Sequence, residues 1–372
     1  MRLFQGSGSV RVVGRECCFN ASPGRVILAT GLGILSADYA LIGALGANRY
    51  SRINGLRSEI EGIGAWVGLG SLDSERIFTE DGRLKTVSLH LRSPEPLRVG
   101  RQLNLTIRPA YRYGPGEHPD ETTINERMLV ETRVSSPRDW EDHLCLHSAV
   151  RDLIRVSAWR SFNFQDHEAT RDDDPLRTID GTSHGRQWYK VDTFRTGMAP
   201  KSSTSGHIGF LFSFDDIGPT GVAKWMRLKE RMSRGINPIL RLLELREATI
   251  ETHFAQLGIG LEALGFTLAR DAGLSIEKAG NESFELRLRR LAADCPGSFP
   301  IDEDAWVTDM RRLYNSVKHA NRALPEPSEL FKAYWESLLV FRYWIAGRLG
   351  LRKSALKANL RIDRMASRVA TG

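Results

Sequence analysis

Asp302-Glu-Asp-Ala-Trp-Val-Thr-Asp-Met-Arg-Arg-Leu-Tyr-Asn-Ser-Val-Lys-His-Ala-Asn-Arg322 is the stretch on which the reading of this chain turns. Its apolar residues Trp306, Met310, Leu313 and Val317 recur every three or four positions, the period of an amphipathic helix. Asp302, Glu303 and Asp304 stand at its start, where a helix dipole favours negative charge. The spacing predicts a helix over 302–323 that stacks Arg312, Asn315, Ser316 and His319 on one polar face.

That face has the groups for phosphodiester chemistry. His319 can exchange a proton near neutral pH. Arg312 can hold a phosphate with its planar fork and offset charge in the transition state. Asn315 can orient the imidazole or bind phosphate. RNA carries its own nucleophile in the 2′-OH, so no metal is required. One His and one Arg is a thin set for acid and base roles, and a second subunit facing the first would double it. The competing reading is a solvated face, because a chain with 52 Lys and Arg often places Arg and His seven apart by chance.

Charge supports a polyanion partner. Between Gly221 and Gly372 there are 25 Lys and Arg against 18 Asp and Glu, so the whole net charge of +7 lies there. A basic surface attracts phosphate polyanions. Arg311, Lys318 and Arg322 add cations beside the polar face. Lys353, Lys357, Arg361 and Arg364 form a basic stripe on a last helix expected over 352–369, suited to an RNA backbone, with a membrane surface and a plain solvated face as alternatives. Further helices are expected near 221–246, 247–271, 281–294 and 327–349, with Pro238 kinking the first.

Upstream the period falls to two. Strand patterns occur at Val10–Phe19, Thr86–Arg92, Leu103–Arg108, Glu126–Val134, Gln187–Arg195 and Ile208–Phe214, and a helical pattern begins at Trp140. The expected class is therefore α+β and multidomain. A β-rich, sandwich-like N-terminal domain with one internal helix spans 1–218, with a break near 137, and an all-α bundle spans 219–372.

Minor signals carry less. Four cysteines without a CxxC pair fit a reducing cytoplasm. The apolar run Val26–Ala47 is broken by Asp38 and glycines and is not read as a membrane span. His143 and His147 have zinc-like i, i+4 spacing but no third ligand, so core or surface histidines are expected. Asp172, Asp173 and Asp174 read as a solvated acidic loop, and Gly31-Leu-Gly33 as a fragment of a Gly-rich loop. Glu262 is either a buried acid near the polar face or a surface residue. No metal site or cofactor is assigned.

The Arg312-x6-His319 pattern resembles the signature helix of HEPN domains, and Asn315-Ser316-x-x-His319 is similar to its Arg-Asn-x-x-x-His version, with Tyr314 where the Arg would stand. Tyr50 to Trp66, Trp140 to Val156, Leu211 to Asp216 with Trp225, and Phe254 to Phe266 extend the resemblance over nearly the whole chain, to ApeA-like proteins. Those join an N-terminal β-rich domain to a C-terminal HEPN domain. The resemblance implies a bacterial anti-phage role through abortive infection, with metal-independent cleavage of RNA, tRNA included, by a homodimer. Arg312 and His319 would then be catalytic, with Arg312 or Arg311 replacing the missing Arg. The alternative is a non-catalytic HEPN module that binds RNA or a protein partner. In both, the N-terminal domain is a candidate sensor for a phage-derived trigger.

Overall fold

The computed structural model of the chain describes residues 2–4, 9–12, 17–20, 26–29, 33–36, 39–42, 50–116, 118, 120–193, 208–245, 247–297 and 299–371. Parts of the Val10–Phe19 and Gln187–Arg195 patterns, and Gly31-Leu32, lie outside them. The helices are α1 Ile63–Val67, α2 Trp140–Ala158, α3 Phe214–Arg231, α4 Ser233–Arg241, α5 Ile250–Asp271, α6 Ile276–Asn281, α7 Phe284–Ala293, α8 Glu303–Lys318, α9 Pro327–Leu349, α10 Lys353–Ile362 and α11 Arg364–Thr371. A β-rich half is thus followed by a helical half, as the change of period predicts. None of these helices is long and apolar enough to cross a membrane.

The strand Arg52–Ile60 is central in an eight-stranded antiparallel sheet. It lies between Thr122–Asp139 and Phe164–Thr170. Leu56 and Ile60 are buried, whereas Arg57 and Glu59 alternate onto the opposite face. There Arg57 pairs with Glu131, and Arg127 pairs with Glu59, Asp166 and Glu168. Asn54 clamps the bulge between Arg133 and Arg138 by donating to the carbonyls of Val134 and Ser135.

Helix α2 crosses the sheet. Trp140 stacks on Tyr39 with centroids 4.4 Å apart and donates its Nε1–H to the Tyr50 carbonyl. Behind it runs a buried chain of alternating imidazoles and hydroxyls. Thr132 Oγ1 lies 2.7 Å from His143 Nδ1 and 2.9 Å from His147 Nε2. Ser58 Oγ lies 2.6 Å from His147 Nδ1 and 2.7 Å from His167 Nδ1. His143 and His147 are therefore core residues, as expected. The three acidic residues of the 172–174 loop are engaged within the fold: Asp172 by Arg133 and Arg186, Asp173 by Arg171, and Asp174 by the Tyr50 hydroxyl.

Both halves share one hydrophobic core. Trp66 donates to the Phe212 carbonyl and Trp225 to that of Ala149. On α9, buried Arg342 donates to the Val156 and Ser157 carbonyls at the end of α2 and makes a bidentate pair with Asp363.

Several expected boundaries move, each for a local reason. Ile208–Phe214 is not a strand, because Ser213 and Asp216 form a capping box that starts α3 at Phe214. Leu103–Arg108 is interrupted where Leu103 and Asn104 adopt left-handed backbone, with φ of 47° and 48°, and the strand begins at Thr106. The first expected helix breaks at Met232, ahead of Pro238. The last splits at Asp363, which is extended, pairs with Arg342, and accepts from the N–H groups of Met365 and Ala366 to cap α11.

Candidate functional site

Helix α8 starts as its sequence predicts, with the Asp302 side chain accepting from the Ala305 N–H. Trp306, Met310 and Leu313 are buried, and the Trp306 indole donates to Ser337 on α9. The helix ends at Lys318 rather than 323. His319 is its C-cap, extended at φ −115° and ψ 112°, and its N–H is accepted by the Asn315 carbonyl. The chain must reverse there into antiparallel α9, and Pro325 and Pro327 hold the residues before them extended. His319 therefore leaves the helical stack and stands exposed just beyond it.

Arg312 is exposed on the expected face, but its guanidinium is occupied. Nη2 lies 2.7 Å from Glu329 Oε1 on α9 and 3.2 Å from Asp309 Oδ1. Those hydrogen bonds, from Glu329 foremost, raise the Arg312 pKa and lower that of Glu329. Arg312, Ser316, Arg322, Leu324 and Glu329 line an open groove of about 520 Å³. Asn315 is half-buried. The His319 carbonyl accepts from the Arg322 N–H, so a tight turn joins the imidazole's residue to the groove.

Tyr314 answers for the departure in the pattern. It is buried, packs on Phe284 of α7 and on the bare Gly258 of α5, and lies with its hydroxyl 3.4 Å from Glu262 Oε2. Burial, then the Glu262 charge, pushes its phenol up to about 12. Glu262 also pairs with Arg287 at 2.8 Å, so this half-buried acid serves the bundle's packing. A Cβ at Gly258 would collide with the Tyr314 ring. Gly258→Ala is expected to cost about 1–3 kcal/mol of stability, read from a urea midpoint.

The other basic residues are scattered. Arg311 pairs with Glu285 on α7 at 3.1 Å, and Lys318 lies over the Tyr314 ring. Lys353, Lys357, Arg361 and Arg364 are exposed, but they belong to two helices, so they form no single straight stripe. Glu329 was not foreseen. It lies 17 residues beyond Arg312 across the Pro325-Glu-Pro327 turn, and only the α8–α9 hairpin brings it near.

Residues 13–227 match the family model described as ApeA N-terminal domain 1. No curated protein and no solved structure matches the chain. The matched segment holds the whole sheet from Tyr39 onward, α1, α2 and most of α3, more than half the chain, and on that ground the protein belongs to the ApeA N-terminal domain 1 family.

Proposed function

We propose that the helical half is a HEPN-type endoribonuclease module acting in bacterial anti-phage defence, with its active groove completed by a second copy of the chain. The reading rests on one observation: Arg312, Ser316 and Arg322 line one open groove, and the exposed His319 is joined to Arg322 by a tight turn. His319 acts as general acid or base, Arg312 neutralises charge on the phosphorane, and Asn315 positions. The 2′-OH is the nucleophile. Leu324 in the groove is 71% exposed and Phe331 on α9 is 50% exposed, the kind of apolar surface that a second subunit covers.

In the lone chain Glu329 holds the guanidinium that RNA phosphate would need. Displacement of Glu329 by phosphate is then part of binding. His319→Ala is expected to lower RNA cleavage by about 100-fold or more. The wild-type activity is expected to survive EDTA. Glu329→Gln is expected to tighten RNA binding about two- to fivefold at low salt. Equal cleavage by wild type and His319→Ala sinks the assignment.

A second reading is favoured by Tyr314, which turns inward where the resembled pattern has its Arg. Here the module binds RNA or a protein partner without cutting. It predicts salt-sensitive RNA binding, unchanged in His319→Ala, with no products from the wild type.

A further inference from the structure

The N-terminal half is neutral overall, yet arginines gather at one place in it. A cavity of about 950 Å³ lies between the sheet edge and the start of α3, lined by Arg98, Arg101, Arg108 and Arg133 against only two carboxylates, Glu95 and Glu131. Pro219 and Thr220 of α3 close its far wall. The volume is that of a small-molecule site.

The cations are incompletely neutralised. Glu131 is divided between Arg57 at 2.6 Å and Arg108 at 3.3 Å. Arg108 Nε is buried and has no aligned hydrogen-bond acceptor. Arg98 and Arg101 have no side-chain partner among the described residues. Burial first, then the charge of Arg186, lowers the Arg133 pKa despite its contact with Asp172. A buried guanidinium in such a field gains from an added anion. The left-handed pair Leu103 and Asn104 holds the loop that carries Arg101, and Asn104 donates to the Arg133 carbonyl at 2.9 Å.

We infer that this cavity binds a phosphorylated small molecule of nucleotide size, its phosphates held by Arg98, Arg101 and Arg108. Forked guanidiniums suit phosphate oxygens, and prolines and Val99 in the lining can take an uncharged moiety. The ligand would touch α3, which packs on both α2 and α9, so occupancy can be felt in the helical half. An RNA strand is the competing occupant, because a neighbouring groove shares Arg101 and adds Arg138.

Calorimetric titration of the full chain with inorganic triphosphate, the four ribonucleoside triphosphates, adenosine and a short single-stranded RNA tests this. Triphosphate and at least one nucleotide should bind, and adenosine should not. Arg98→Gln/Arg101→Gln should weaken binding by about tenfold or more per guanidinium, whereas Lys85→Gln, exposed and not among the residues that line the cavity, should not. Absence of binding by every small phosphorylated probe, affinity unchanged in the double variant, or binding of RNA alone would overturn the inference.

Discussion

Arg342→Met is expected to destabilise the protein by about 3–5 kcal/mol, because it strands the buried carboxylate of Asp363. Arg342 is 1% exposed, and each of its nitrogens is engaged. One guanidinium ties α9 to the end of α2 through the Val156 and Ser157 carbonyls and to the α10–α11 junction through Asp363. Removing it takes one donor from each carbonyl and the countercharge from Asp363; the Ser157 carbonyl keeps the Leu211 N–H and the carboxylate keeps those of Met365 and Ala366, but its buried charge is left unpaired. The denaturant midpoint of the variant, measured beside Arg342→Met/Asp363→Leu, separates the two contributions. The double variant should recover a large part of the loss, because the uncompensated charge is gone. A single variant as stable as wild type would show that the Arg342 guanidinium does not hold α9 to the end of α2 and to the α10–α11 junction.

Acid should weaken the protein through the buried histidines of its N-terminal half. Burial pushes His143 and His167 down to about 4, and His147 well below its ordinary value. In the folded state all three are neutral at pH 5, whereas in the unfolded chain they charge near 6.5. The unfolded state therefore takes up protons first, so stability is complete above about pH 6.5 and is lost as pH falls toward 4. At pH 5 the loss is about 2 kcal/mol for each of His143 and His167. The hydroxyl bridges add direction. Neutral His147 must donate through one nitrogen and accept through the other, which orients Thr132 and Ser58 in one sense. Urea midpoints at pH 7.5 and 5 should differ accordingly, and His143→Asn/His167→Asn should flatten the difference. An unchanged acid slope in that variant would contradict the account.

The same buried chain explains what the sequence concealed. Arg52–Ile60 is central in the sheet, yet its inward positions include Asn54 and Ser58, so it lacks clean apolar alternation. Phe164–Thr170 puts His167 in the core and was missed for the same reason. Strand patterning reads burial through hydrophobicity, and here polar side chains are buried because they satisfy one another across three strands and a helix. The helical half had no such disguise. The Trp306, Met310 and Leu313 stripe is apolar and local, and Asp302 caps it from the adjoining turn.

The candidate groove was half legible. Arg312, Ser316 and their common face follow from helical spacing within one element, which sequence carries in full. The end of α8 before His319 and the grip of Glu329 on Arg312 depend on where α9 returns. Charge counting placed the excess basicity in the helical half but was blind to the arginines around the N-terminal cavity, because neutral totals average over ion pairs that only folding makes. Periodicity, caps and composition are properties of neighbours in the chain and could be read from it. Which guanidinium is neutralised and which is left facing a cavity depends on residues brought together from distant positions, and the packing of α2, α3 and α9 on the sheet made that choice.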